Sequence, residues 1–160
     1  MKFFIACHPA GSITYLSPAW GGRASDVEIV RKSGFISYNY FLPGDQILAD
    51  RGFTLHDDFA VRTSAELITP AFMKERDQLP AKEVEQSRVK SNIRIHIERV
   101  IGILKNRFHI LDGPMPIRFI QTLKDEAQGD CNISVIDKIV NVCSALVNME
   151  KSVIYDEKSK

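Results

Sequence analysis

Two acidic residues stand where a carboxylate can do chemistry. Asp50 closes the short, mostly apolar run Gln46-Ile47-Leu48-Ala49 and is followed by Arg51-Gly52. Glu98 lies inside the stretch RIHIERVIGILKNRF, residues 94–108, whose apolar residues recur at helical spacing. An acid at the carboxyl end of a strand and an acid on a helix can converge on a divalent cation. Hard Mg²⁺ or Mn²⁺ takes carboxylate oxygens in an octahedral shell, and paired ions of this kind activate and stabilise oxygens in phosphoryl displacement. Each acid also has a plainer explanation. Asp50 can open a turn with Arg51-Gly52. Glu98 can form a surface i,i+4 pair with Arg94, an interaction worth only ~0.2–0.5 kcal/mol.

The surroundings of Glu98 are basic. Between Lys82 and Phe108 there are seven Lys or Arg against three acids, a local excess of +4 in a chain whose formal net charge is +1. Arg94, Arg99 and Lys105 are the candidates for contacts to nucleic-acid phosphates, the alternative being an ordinary solvated helix face. Other chemistries find little support. His96-Ile97-Glu98 has the HxE spacing of zinc deaminases, but no PCxxC follows it. His8, His56 and His109 are isolated, with neither HExxH nor a nucleophile-elbow motif in the chain. Cys7, Cys131 and Cys143 are odd in number and lack CxxC spacing, which fits reduced, buried thiols rather than a disulfide framework or a zinc site.

The elements that must position these acids are legible in outline. Lys2 to Cys7 and Ser12 to Ser17 are rich in aromatic and β-branched residues and flank His8-Pro9-Ala10-Gly11, which predicts a hairpin. Ser25-Asp26-Val27-Glu28 has the pattern of a capping box, so a short helix should start there and end near Gly34, with Asp26 explained by its favourable place in the first turn. After Pro43-Gly44-Asp45, the run 46–49 reads as an inner strand ending in Asp50. Residues 56–80 are mixed, with a short strand at Leu67-Ile68-Thr69 before Pro70. Val84, Ile93, Ile97, Val100, Ile101, Leu104 and Phe108 predict a long amphipathic helix from Lys82 to Phe108, stopped by Gly113-Pro114. A last helix over about 134–151 should turn Val135, Ile139, Val142, Leu146 and Met149 to one side.

Strands first and long helices after predict an α/β or α+β arrangement, a small mixed sheet with helices packed on it. With 160 residues, 44% hydrophobic and 26% charged, the composition is that of one globular domain, expected over 1–154 with a fraying tail at 155–160. The apolar run in MKFFIAC is about five residues, where a signal peptide needs about 7–15. No run approaches the ~18 apolar residues of a membrane span. The expectation is an intracellular protein without a membrane partner.

Four segments, GSITYLSPAWGGRASDVEIV, LPGDQILADRGF, RIHIERVIGILKNRF and IDKIVNVCSALVN, resemble in order the DDE endonuclease domain of PIF/Harbinger-type transposases. The resemblance spans about Lys2 to Asn148. It implies a ribonuclease H-like mixed sheet flanked by helices, in which three acids hold two divalent ions, Mg²⁺ or Mn²⁺, for DNA cleavage and strand transfer. Asp50 matches the second acid and Glu98 the third, which makes both catalytic and metal-ligand candidates, with Arg94 and Arg99 flanking Glu98. The first acid normally lies on a strand before the segment matching Lys2 to Cys7, so the resemblance implies a domain lacking its first strand, a truncated form. Asp26 matches an SD motif distinct from that acid. DNA, a transposase-associated DNA-binding protein and a nuclear location are further implications. The alternative is a non-catalytic nucleic-acid- or protein-binding module derived from a transposase.

Overall fold

The computed structural model describes residues 1–37, 40–50, 52–69, 95–120 and 133–150. Among them lie the strands β1 (Ile5–Cys7), β2 (Ile13–Leu16), β3 (Gln46–Leu48) and β4 (Glu66–Ile68). The helices are α1 (Asp26–Lys32), α2 (His56–Arg62), α3 (residues 95–107), α4 (Ile117–Ile120) and α5 (Val135–Asn148). The chain divides into two compact units, one of Met1–Gly22 with His96–Lys160 and one of Arg23–Ile95.

In the first unit the predicted hairpin forms. The His8 carbonyl accepts from Gly11 N–H at 2.8 Å and His8 N–H donates to Ser12 at 2.8 Å. Gly11 adopts φ 90°, a left-handed conformation that a side chain would strain. The strands pair antiparallel with Ile5 opposite Leu16, and the register slips between Ala6 and Cys7, which faces Ile13. A bridge between Lys2 and Trp20 extends the ribbon.

Helix α5 lies along this hairpin and is fastened at both ends by side-chain bonds to backbone. Near its start, Asp137 Oδ1 accepts from Ala19 N–H at 2.6 Å, while Oδ2 accepts from the N-cap Ser134 hydroxyl at 2.7 Å. At its end, the Asn148 amide accepts from Ile13 N–H and donates to Ile13 C=O, each at 2.8 Å. The helix therefore runs antiparallel to β2, with its C-terminus at Ile13 and its N-terminus beyond the strand's far end. Ile13, Val100, Leu104, Cys143 and Val147 form the core that this alignment closes, with Ile5, Cys7, Ile103, Phe108, Leu111 and Ile139 packed around it. An ion pair between Arg107 and Glu150 ties the end of α3 to the end of α5.

The side of α5 that is buried is not the side that carries the expected stripe as a whole. Val142, Leu146 and Met149 are 58%, 46% and 83% exposed, and the buried residues are Ile136, Val140, Cys143, Ser144 and Val147. The sequence carries two apolar stripes at spacings of three and four, one residue apart, so periodicity alone does not choose between them. The polar anchors do: 137, 140, 144 and 148 share one side, and Asp137 and Asn148 must both face the hairpin.

In the second unit, the Ser25 hydroxyl caps α1 by accepting from Glu28 N–H at 3.1 Å. The expected reciprocal half of the capping box gives way to an ion pair, with Glu28 Oε1 taken by Lys32 Nζ at 2.7 Å. The helix ends at Ser33, and Gly34 follows at φ 81°. Phe35, Phe41 and Phe59 form a cluster of edge-on rings with centroids 5.2–6.2 Å apart. Arg31 Nε and Nη2 grip Asp58 Oδ2 at 3.0 and 2.9 Å, which joins α1 to α2. The Leu42-Pro43-Gly44-Asp45 turn leads into β3, and the Asp45 carbonyl accepts from Glu66 N–H at 2.9 Å. Strands β3 and β4 pair parallel, Gln46 with Glu66 through Leu48 with Ile68, and α2 is the crossover between them.

The overall class is mixed α/β, as expected, with small sheets. A single mixed sheet is not what the described residues show: β1–β2 and β3–β4 are separate two-stranded sheets. Nor is β3 an inner strand among them, since it pairs with β4 alone and leaves Gln46 and Leu48 exposed. Two further helices, α2 and α4, stand where no helix was expected; both are too short to show a periodic stripe. The first thirteen residues expected in α3, 82–94, lie outside the described residues, as does the expected tail at 155–160.

Two outcomes follow for stability. Asn148→Ala removes both bonds to buried Ile13 and should lower stability by about 1–3 kcal/mol, seen as a reduced urea midpoint with an unchanged slope. Burial pushes the Cys7 thiol from 9.0 up to about 11, so the fold keeps a proton that the unfolded chain releases. Stability is then fully present below about pH 9 and declines as pH rises toward 11. Cys7→Ala should flatten that decline in a pH series of denaturation curves.

Candidate metal centre

Asp50 is placed by backbone geometry. Among the described residues the last ladder bond of the parallel pair runs from Ala49 N–H to Ile68 C=O at 3.0 Å, and Asp50 is the next residue in the chain. Its own carbonyl accepts from Phe53 N–H at 3.0 Å, which turns the chain, and Leu55, five residues after Asp50, is buried. The carboxylate is thus exposed at the carboxyl edge of a parallel strand pair. In open α/β sheets ligands gather at that edge.

Glu98 is placed by the packing of α3. Val100 and Leu104 are buried in the core of the first unit, and Ile97 and Ile101 are half-buried beside them. Glu98, Arg99, Lys105 and Arg107 are exposed. One turn after Glu98, Gly102 has nothing among the described residues within 4 Å of where a Cβ would stand. Arg94 lies outside the described residues.

Asp50 belongs to the unit Arg23–Ile95 and Glu98 to the unit containing His96–Lys160, and each is described within its own unit. Both donors are carboxylate oxygens, the ligand type that Mg²⁺ and Mn²⁺ prefer over imidazole or thiolate, and both are open to solvent. Each carboxylate, taken by itself, fits a hard divalent ion in kind. Among the described residues no group of three or more His, Cys, Asp or Glu is arranged to hold a metal.

The other candidates resolve into structure. Asp26 occupies the first turn of α1. Cys143 is buried in the core and its thiol is pushed up by desolvation, as is that of Cys7, so neither is poised as a thiolate ligand. Cys131 lies outside the described residues. His8 Nδ1 accepts from Ala10 N–H at 3.1 Å within the hairpin turn, and His109 opens a short 3₁₀ turn after α3. His56 does have a neighbour that sequence reading missed: its Nε2 lies 3.3 Å from Thr69 Oγ1. The signal available in the sequence was Thr69 at the end of a second strand, which needed the parallel pairing of β3 and β4 to become informative.

Among the described residues no helix is long and apolar enough to cross a membrane. Comparison with curated proteins and with solved structures found no significant match. The family model for a DDE superfamily endonuclease, in contrast, matches residues 1–148. A match over nearly the whole chain, on a mixed α/β frame with an exposed acid at a strand's carboxyl edge and another on a basic helix, shows that this protein belongs to the DDE superfamily endonuclease family, whose members generally depend on divalent metal.

Proposed function

We propose that residues 1–154 form a transposase-derived DDE nuclease domain of the PIF/Harbinger kind, in which Asp50 and Glu98 are the second and third acids of a divalent-metal site acting on DNA. The observation that carries this reading is the position of Asp50, one residue past the last bond of the parallel ladder, within a chain that matches the family over 1–148. The proposal carries a ribonuclease H-like sheet with it. DNA is the substrate the family implies, a transposase-associated DNA-binding protein is a natural partner, and the nucleus is the place of action.

When bound, Mg²⁺ or Mn²⁺ would supply Lewis-acid stabilisation of the oxygens exchanged at phosphorus. The chain's residues have simpler tasks. Asp50 and Glu98 hold the cation through anionic oxygens. Arg99 and Lys105, with Arg94, offer positive charge to the DNA backbone and offset the negative charge of the acids. Asp50 and Glu98 would be the residues that hold the ion, and the ion would draw DNA phosphate to them.

A second reading, a non-catalytic binding module, is favoured by the exposed Arg99 and Lys105 on α3, which need no metal to attract phosphate. The two readings separate experimentally. In calorimetric titrations with Mn²⁺, Asp50→Ala or Glu98→Ala should weaken binding about tenfold or more, by analogy with losing one of few ligands; equal binding by both variants and the parent removes the site assignment.

DNA affinity should fall with rising salt, and neutralising Arg99 or Lys105 should reduce the slope of log K against log salt by about 1 each, uniformly across sequences. Affinity indifferent to salt would count against the basic face of α3 as a DNA contact.

A further inference from the structure

Because β3 and β4 run parallel, both strands end at the same edge of their sheet. Asp50 leaves β3 there, two residues after Leu48, and Thr69 leaves β4 there, one residue after its partner Ile68. The crossover helix α2 begins at His56, and the imidazole reaches back to this edge, with Nε2 3.3 Å from Thr69 Oγ1. A carboxylate, a hydroxyl and an imidazole are thus supplied to one sheet edge by three consecutive pieces of a β–α–β unit. His56 is exposed and Thr69 half-buried, and among the described residues the imidazole is a hydrogen-bonding neighbour of the hydroxyl.

We propose that Thr69 is a DNA-contacting residue of the Asp50 site, donating its hydroxyl hydrogen to a non-bridging phosphate oxygen, and that His56 is the residue that positions it. This rests on the reading of Asp50 as a metal ligand. A hydroxyl has one hydrogen and two lone pairs, so its direction is set by whichever neighbour it meets. With hydrogen on Nε2, His56 donates to Thr69 Oγ1, occupies a lone pair, and leaves the hydroxyl hydrogen to turn outward. The cation at Asp50 would draw the phosphate to this edge, and Thr69 would fix one of its oxygens. The chemistry recognised is a phosphodiester, without reference to base sequence.

Thr69→Val keeps the shape and removes the donor. His56→Leu removes the positioning bond, and His56→Gln restores an N–H that can donate to Oγ1. The test measures Mn²⁺ affinity by calorimetry, binding of a short duplex oligonucleotide with Mn²⁺ present, and thermal melting, all on the full chain. Thr69→Val and His56→Leu should bind the oligonucleotide about 5- to 10-fold more weakly, the loss of one hydrogen bond, with Mn²⁺ affinity and melting unchanged. His56→Gln should recover most of the affinity, which a merely structural role for the ring would not produce.

Oligonucleotide binding by Thr69→Val equal to the parent overturns the proposal, as does failure of His56→Gln to recover what His56→Leu loses. Loss of Mn²⁺ affinity in Thr69→Val also overturns it, since the hydroxyl would then belong to the cation. A parent chain that takes up Mn²⁺ but does not bind the oligonucleotide overturns it too. Failure of Asp50→Ala to change Mn²⁺ affinity would instead sink the metal-site reading on which the proposal stands.

Discussion

The first unit depends on the two-ended attachment of α5 to the hairpin. An isolated two-stranded ribbon is marginal in water and a fourteen-residue helix is scarcely better, so neither β1–β2 nor α5 stands alone. Asp137 takes the Ala19 N–H, and the Asn148 amide takes both polar groups of Ile13, as a neighbouring strand would. With direction and rotation of the helix set by these bonds, Cys143 and Val147 meet Val100 and Leu104 rather than solvent. Helix α3, which carries Glu98, is seated on that same core. The orientation of one candidate ligand thus traces back to backbone groups of a hairpin far from it in sequence.

In the second unit the corresponding constraint is the parallel pairing of β3 with β4. Parallel strands cannot be joined by a tight turn, so a crossover is required, and α2 supplies it in seven residues. Phe59 buries the helix against Phe35 and Phe41, and the forked contact of Arg31 with Asp58 holds it to α1 from the outside. That pair is exposed on the arginine side, so its worth lies in geometry more than in energy. The result is an edge to which the parallel pairing and its crossover bring Asp50, Thr69 and the His56 ring.

Much of this was legible in the residues, and what was not has physical causes. The hairpin was readable because Pro9 and Gly11 occupy the positions their backbones require. The helix starts at Ser25 and Ser134 were readable because a side-chain cap is a local interaction. The buried side of α5 was not, because two apolar stripes compete and the choice belongs to Asp137 and Asn148, whose partners are more than a hundred residues away. Helix α2 was missed because seven residues with one buried anchor show no period. Asp50 and Glu98 were singled out by their settings, an acid ending an apolar run and an acid among bases. That they could act as a pair was suggested by their chemistry, and their assignment as second and third acids rests on the family resemblance, since spacing along the chain does not encode convergence in space.

The central claim is that Asp50 and Glu98 share a divalent cation. Anomalous diffraction at the manganese edge from crystals grown with Mn²⁺ tests it most directly. The account predicts an anomalous peak within about 2.0–2.4 Å of carboxylate oxygens from both residues, with water filling the remaining positions. A peak held by other side chains, or none within reach of both carboxylates at saturating Mn²⁺, would contradict it.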